Sequence, residues 1–164
     1  MRYFLMILTA FALISCGKPS KFKTYNGPQV TQILVDKTAR KMWLLHGTKA
    51  LKSYKIDLGF APAGHKFKEG DGRTPEGVYR IDRRNPNSSY HLSLGINYPN
   101  NQDRAKAHAA GVSPGGDIFI HGGPVLRKNR KKADWTAGCI SVTNKEMEEI
   151  YAMVKDGTPI LVKP

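Results

Sequence analysis

Short runs rich in Val, Ile, Leu, Met and aromatic residues recur along this chain, each closed by glycine, proline or a brief polar link. That punctuation limits the fold more than any other feature. "VTQILVD" (30–36) and "RKMWLLH" (40–46) are separated by only three residues, so they predict a β-hairpin. "ALKSYKIDLG" (50–59) alternates well enough for a third strand, and "VYRID" (78–82), "GDIFIHGG" (116–123) and "PILVKP" (159–164) supply further short strands. Sixteen glycines and ten prolines put turns between them and argue against a helical bundle. Residues 60–77, "FAPAGHKFKEGDGRTPEG", are turn chemistry throughout, and a loop of that length is usually functional or disordered.

Two stretches read as helices. "NQDRAKAHAAG" (101–111) holds helix formers and ends on Gly111. A second helix is expected from Asn144 as its cap, with Met147, Ile150, Tyr151 and Val154 on one face and Gly157 as its left-handed stop. With 164 residues the chain supports one domain, of α+β class and mainly β.

The N-terminus has a different character. Arg2 precedes an uncharged apolar run, Tyr3 to Ile14, about twelve residues long and too short to cross a bilayer, which needs roughly 20. It matches a secretory signal peptide. Leu13-Ile14-Ser15-Cys16 resembles a bacterial lipobox, which implies removal of residues 1–15 and lipidation of Cys16. Residues 16–28 then read as a polar, basic tether, and residues 29–164 as the folded domain. The expected location is the cell envelope, lipid-anchored and facing the periplasm. Gly17, rather than Asp, after the lipidated cysteine favours an outer membrane where the cell has two.

Loss of Arg2 takes the formal charge from +13 to +12. A basic exported domain is drawn to polyanions, here anionic lipid, lipopolysaccharide or the cell wall; nucleic acid is rarely met outside the cytoplasm. The densest basic run, Arg127 to Lys132, reads as a solvated loop or as a patch facing substrate.

The cysteine count sharpens the question. With Cys16 lipidated, Cys139 is left without a partner in a compartment where thiols oxidise, so it is reactive, paired between molecules or buried. It follows Ala137-Gly138, and His121 precedes Gly122-Gly123, so each lies beside glycines that let backbone approach a ligand. An imidazole activates a thiol by taking its proton, or by lowering its pKa from about 8.5 to roughly 3.5–7.5. Backbone N–H groups at Gly138 and Cys139 would form an anion-binding nest. Spacing alone leaves two readings open, a Cys-His nucleophile and a buried structural cysteine.

"HGG" (121–123) followed by "TAGCISVTN" (136–144) resembles the His-Gly…Ser/Thr-x-Gly-Cys signature of the L,D-transpeptidase catalytic-domain family. "LGFAPAGHKFKEGDGRTPEGVYRI" (58–81) resembles the family's segment ending in Thr-Pro-x-Gly-x-Tyr/Phe, and "YHLSLGINYPN" (90–100) and "GVSPGGDIFIHG" (111–122) are similar to its branch that includes murein transpeptidase-like lipoproteins. The resemblance implies a twisted mixed sheet or sandwich with a packed helix. It implies a cysteine that attacks the carbonyl between diaminopimelate and D-alanine in a peptidoglycan stem, forming a thioester that an amine or water resolves. By position, Cys139 would be the nucleophile, His121 the base, and the Gly122 carbonyl the group orienting the imidazole. Gly138 and Cys139 would hold the oxyanion. The family implies no metal and no cofactor.

One departure stands out: where much of the family has Arg two residues after the cysteine, this chain has Ser141. A guanidinium that forks onto carboxylate is missing there, which opens the choice of acceptor. Transfer to an amine is the first expectation. Hydrolysis, including release of a wall-linked lipoprotein, is the second, and a non-catalytic wall-binding lipoprotein the third. Arg73, His91, Trp135, Thr136 and Ser141 are the expected substrate contacts, although Arg73 equally suits pinning a loop, His91 packing and Trp135 a wall. His46, His65 and His108 read as surface or packing residues.

Overall fold

The computed structural model describes residues 20–124 and 132–164, so Cys16, residues 1–15 and most of the basic run 127–132 lie outside the described residues. Among these there are eight strands and two helices. In chain order they are β1 (Gln32–Asp36), β2 (Lys41–His46), β3 (Lys49–Lys55), β4 (Gly77–Asn85), β5 (Ser93–Ile96), α1 (Asn101–Ala109), β6 (Phe119–His121), β7 (Ile140–Ser141), α2 (Asn144–Met153) and β8 (Pro159–Lys163). The strands form one mixed sheet in the order β3-β2-β1-β8-β4-β5-β6-β7.

The expected hairpin is present: β1 and β2 pair antiparallel, with Val35 opposite Met42 and Ile33 opposite Leu44. Its turn is held by the Asp36 carboxylate, which accepts the Ala39 N–H at 2.7 Å. Alternation then does the rest, since Ile33, Val35, Met42, Leu44, Ile160 and Val162 are all buried on one face. β8 returns parallel to β1 and antiparallel to β4.

β4 is the strand on which the sheet turns. Its first half, Gly77–Arg80, pairs with β8, while Ile81–Asn85 pairs with β5. Between Ile81 and Arg83 the register slips, so Ile81 faces Ile96 but Arg83 faces Gly95. An irregularity of this kind bends a strand and re-aims the residues after it. Beyond β7 the segment following β3 closes the edge, through bridges Asp57–Ser141 and Gly59–Thr136.

α2 packs on β5 and β6 through Met147 and Ile150, both fully buried. Its cap is Thr143, not Asn144 as expected. The Thr143 side chain accepts the Glu146 N–H while the Glu146 carboxylate accepts the Thr143 N–H. Gly157 is not its stop either: the helix ends at Val154, and Gly157 sits in the next turn, donating its N–H to the Ile81 carbonyl at 2.8 Å. The guanidinium of Arg84 lies over the Tyr151 ring and donates to the carbonyls of Tyr151 and Val154, supplying the cation that α2 lacks in its last turn.

Residues 20–28, the described part of the expected tether, and the 60–77 loop both make side-chain contacts with the domain. Within residues 16–28, Lys21 donates to the carbonyls of Pro86 and His91, Phe22 meets Tyr151, and Lys23 pairs with Glu148 on α2. In the 60–77 loop, the buried Lys37 ammonium donates to the carbonyls of Gly64 and Thr74 and to Glu76. Lys66, also buried, pairs with Asp71 at 2.9 Å. The Asp71 carboxylate in turn accepts the N–H groups of Phe67, Lys68 and Arg73.

Candidate active site

Register alone brings the two expected chemical groups together. β6 and β7 are parallel, with Ile120 opposite Ile140 and His121 opposite Ser141. Ile120 and Ile140 face the core. The intervening positions, Phe119 and His121 on one strand and Cys139 and Ser141 on the other, therefore share the opposite face. The Phe119 N–H donates to Cys139 Sγ at 3.4 Å, which fixes Cys139 beside Phe119, one ladder step from His121. Cys139 and His121 line a common pocket of about 290 Å³ with Tyr90, Ser93, Asp117 and Phe119.

The imidazole is held in one tautomer. His121 Nδ1 lies 2.6 Å from the Gly122 carbonyl oxygen, which only accepts, so Nδ1 carries the proton and Nε2 is left with its lone pair. The Gly122 N–H donates to the Tyr90 carbonyl at 3.1 Å, fixing that peptide in place. Tyr90 stacks on His121 with centroids 4.4 Å apart, and Trp135 meets it edge-on at 5.6 Å. Burial pushes the His121 pKa below the ordinary histidine value, against the opposing pull of the Gly122 carbonyl.

Cys139 differs from the sequence expectation of a lowered thiol pKa. Burial pushes its pKa up, the Phe119 N–H opposes this, and the Asp117 carboxylate adds to the rise. The S–H lies 3.5 Å from the Asp117 carbonyl as its acceptor. Both shifts favour a neutral thiol and a neutral imidazole over an ion pair.

The turn carrying the thiol is organised by Thr136. Its hydroxyl donates to the Cys139 carbonyl at 2.7 Å and accepts the Gly138 N–H at 3.1 Å. That corrects two expectations. Thr136, expected to contact substrate, is buried, and its hydroxyl donates and accepts within its own turn, so it shapes that turn. The Gly138 N–H, expected to help hold an oxyanion, is bonded to the Thr136 hydroxyl. Gly138 itself is required for conformation: its φ is +139°, and a Cβ there would come within 2.7 Å of the Arg73 carbonyl oxygen.

The remaining expected contacts divide. Trp135 backs the imidazole and the Gly123 backbone. Ser141 is 2% exposed and lines the neighbouring hollow with Asp57, Gly123 and Thr143, not the thiol pocket. Arg73 lends its backbone as the floor under Gly138, while its guanidinium lies beside Gly64. His91 points to α2, where Nε2 meets Glu148 at 2.9 Å, because its φ of +76° turns the chain after Tyr90. Tyr90, Ser93, Asp117 and Phe119 were not singled out from sequence. All four lie inside the quoted stretches "YHLSLGINYPN" and "GVSPGGDIFIHG", but nothing local marks them as facing the thiol.

The family model YkuD, described as L,D-transpeptidase catalytic domain, matches residues 30–162. The chain belongs to this family. YafK of Escherichia coli (strain K12), a curated protein that carries the family's name, is 29% identical over 142 residues, covering 84% of this chain and 52% of its own length. The chain thus spans about half the length of the curated relatives it matches. Among solved structures, the helical cell shape determining protein Pgp2 from Campylobacter jejuni superposes with a TM-score of 0.65 at 25% identity, covering 90% of this chain and 52% of that one. Bd1075 from Bdellovibrio bacteriovorus gives 0.59 at 27% identity, over 82% and 48%. An L,D-transpeptidase from Mycobacterium smegmatis, at 16% identity and a TM-score of 0.56, covers 82% of this chain and 59% of that one and shares the fold. The L,D-transpeptidase fold expected from the motifs is therefore the one found, a curled mixed sheet with two helices.

Proposed function

We propose that this L,D-transpeptidase domain is a cysteine acyltransferase acting on peptidoglycan stem peptides. The observation that carries the reading is the tautomer of His121: with Nδ1 committed to the Gly122 carbonyl, Nε2 is free to take a proton in the pocket it shares with Cys139. In the first half-reaction Nε2 removes the thiol proton as Sγ bonds to the carbonyl carbon between diaminopimelate and D-alanine. The Cys139 N–H stabilises the oxyanion. Collapse breaks the C–N bond, the imidazolium returns its proton to the leaving amine, and a thioester remains. An acceptor amine then gives a proton to Nε2, attacks the thioester and expels Sγ, which recovers the proton. Metal and cofactor play no part in these steps.

Position 141 favours a second reading of the acceptor. A buried serine offers no cation to hold an incoming carboxylated stem, and water would then complete the cycle, trimming stems or freeing a wall-linked lipoprotein. One experiment addresses both. The full-length protein in detergent, incubated with tetrapeptide muropeptides, is expected to release D-alanine and give crosslinked or exchanged products by mass spectrometry. Shortened stems alone select hydrolysis, and identical products from Cys139→Ala defeat both readings in favour of a binding protein.

For location, we propose a periplasm-facing lipoprotein anchored through Cys16, on the strength of the apolar run ending Leu13-Ile14-Ser15-Cys16. Mass spectrometry of the mature protein should give a diacylglyceryl cysteine as its first residue. Any other N-terminus rules the anchor out.

A further inference from the structure

The missing guanidinium beside the nucleophile has a counterpart elsewhere in the sheet. Arg83 on β4 is opposite Gly95 on β5, Gly95 is opposite Phe119 on β6, and Phe119 adjoins Cys139. These four residues form one row across the face that carries the thiol. The register slip after Ile81 puts Arg83 there. Ile81 is buried in the core, so without the slip Arg83, two residues on, would share its core-facing side. With it, Arg84 takes the core-facing position beside Leu94, and Arg83 turns outward.

Gly95 is what lets the side chain cross the strand. A Cβ at Gly95 would lie 2.5 Å from Arg83 Cγ and 2.9 Å from its Nε. Passing over this gap, the guanidinium stacks on the Phe119 ring at 4.5 Å from the centroid. Phe119 lines the thiol pocket, and its N–H touches Cys139 Sγ. The cation is therefore separated from the nucleophile by one side chain.

Its present partners are replaceable. Nη2 lies 3.2 Å from a carboxylate oxygen of Asp117, whose side chain is 90% exposed, and Nη1 lies 3.0 Å from the adjacent Asp82. Ion pairs this exposed are weak and exchange with other anions. Asp117 also lines the pocket. The structure thus holds a stacked, planar cation over Phe119, beside the pocket that Phe119 and Asp117 line, and paired with the exposed Asp117 carboxylate.

We propose that Arg83 is the carboxylate-recognition residue of this site, exchanging Asp117 for a carboxylate of the stem peptide next to the scissile carbonyl. The inference rests on the stem-peptide reading above. A guanidinium presents paired donors that match a carboxylate, and its stacking on Phe119 pre-orients them. The carboxylate belongs either to the leaving D-alanine or to the diaminopimelate side chain.

Calorimetric titration of the full-length Cys139→Ala protein separates these cases without turnover. Three tetrapeptides are compared: the free acid, its C-terminal amide, and the form amidated on the diaminopimelate side-chain carboxyl. The free acid is expected to bind on the order of tenfold more tightly than one of the two amides, and the amide that loses affinity identifies the carboxylate. Arg83→Gln should abolish that difference, Arg83→Lys should keep part of it, and Asp117→Asn should tighten binding of the free acid. Affinities that Arg83→Gln leaves unchanged, or weakens equally for all three peptides, overturn the assignment while leaving the stem-peptide reading intact. Absence of binding by every peptide, with muropeptide products unaffected by Cys139→Ala, removes both.

Discussion

Cys139 and His121 both sit in surroundings that disfavour charge, and this decides how the thiol becomes a nucleophile. Burial lowers the imidazole pKa and raises that of the thiol, and both directions favour the neutral forms. Proton transfer therefore accompanies attack instead of preceding it, and the pair needs a close electrophile to react. Alkylation by iodoacetamide reads this directly. The rate for Cys139 is expected to rise with a midpoint above the ordinary cysteine value, and to stay low at pH 7 beside a free-cysteine peptide. A midpoint below 7 would reveal a resting thiolate and refute the neutral pair. The same reasoning places the acid limb of kcat/KM below 6.5, the ordinary histidine value, because His121 must be neutral to accept the proton.

At the scale of elements, what was legible in the sequence is what depends on near neighbours. The β1–β2 hairpin follows from two alternating runs and a link too short for any other path. His121 and Cys139 were legible through glycine-flanked positions at strand ends, and their shared face follows once β6 and β7 are paired. Helix α2 was found, but its start was misplaced by one residue, because Thr143 and Asn144 both cap well; the decisive signal was Glu146, three residues after Thr143. Other features rest on distant pairing. The slip in β4 arises where one strand serves β8 and then β5, and no local pattern marks it. The face taken by Arg83 is therefore invisible before the sheet is assembled. His91 drew notice as a titratable residue, yet the backbone turn beside it hands the pocket to Tyr90 and leaves His91 on α2. Thr136 and Gly138 show the same limit, since a hydroxyl bonded within its own turn cannot be told from a free one by sequence.

Across the whole molecule, the 60–77 loop joins the stability of the domain to the integrity of the site. Asp71 accepts the Arg73 N–H, and the Arg73 carbonyl forms the floor on which Gly138 rests, so the carboxylate supports the nucleophile turn from beneath. Burial acts to raise the Asp71 pKa, but three backbone N–H groups and Lys66 outweigh it and hold the group at about 2, against an ordinary value of 3.8. A carboxyl depressed in the folded state binds fewer protons there than in the unfolded chain. Its stabilisation is complete above the unfolded pKa near 4 and is lost as pH falls through the folded value near 2. The difference corresponds to about 2 kcal/mol. Denaturant unfolding followed from pH 7 to pH 2 should show this loss between pH 4 and 2, with the site disordering in the same window. Asp71→Asn is expected to be less stable at pH 7, because it leaves the buried Lys66 ammonium without its counter-charge, and to show a flatter profile below pH 4. Parallel profiles for the two proteins between pH 4 and 2 would mean that Asp71 does not carry the acid sensitivity, and that the loop is held by its backbone bonds alone.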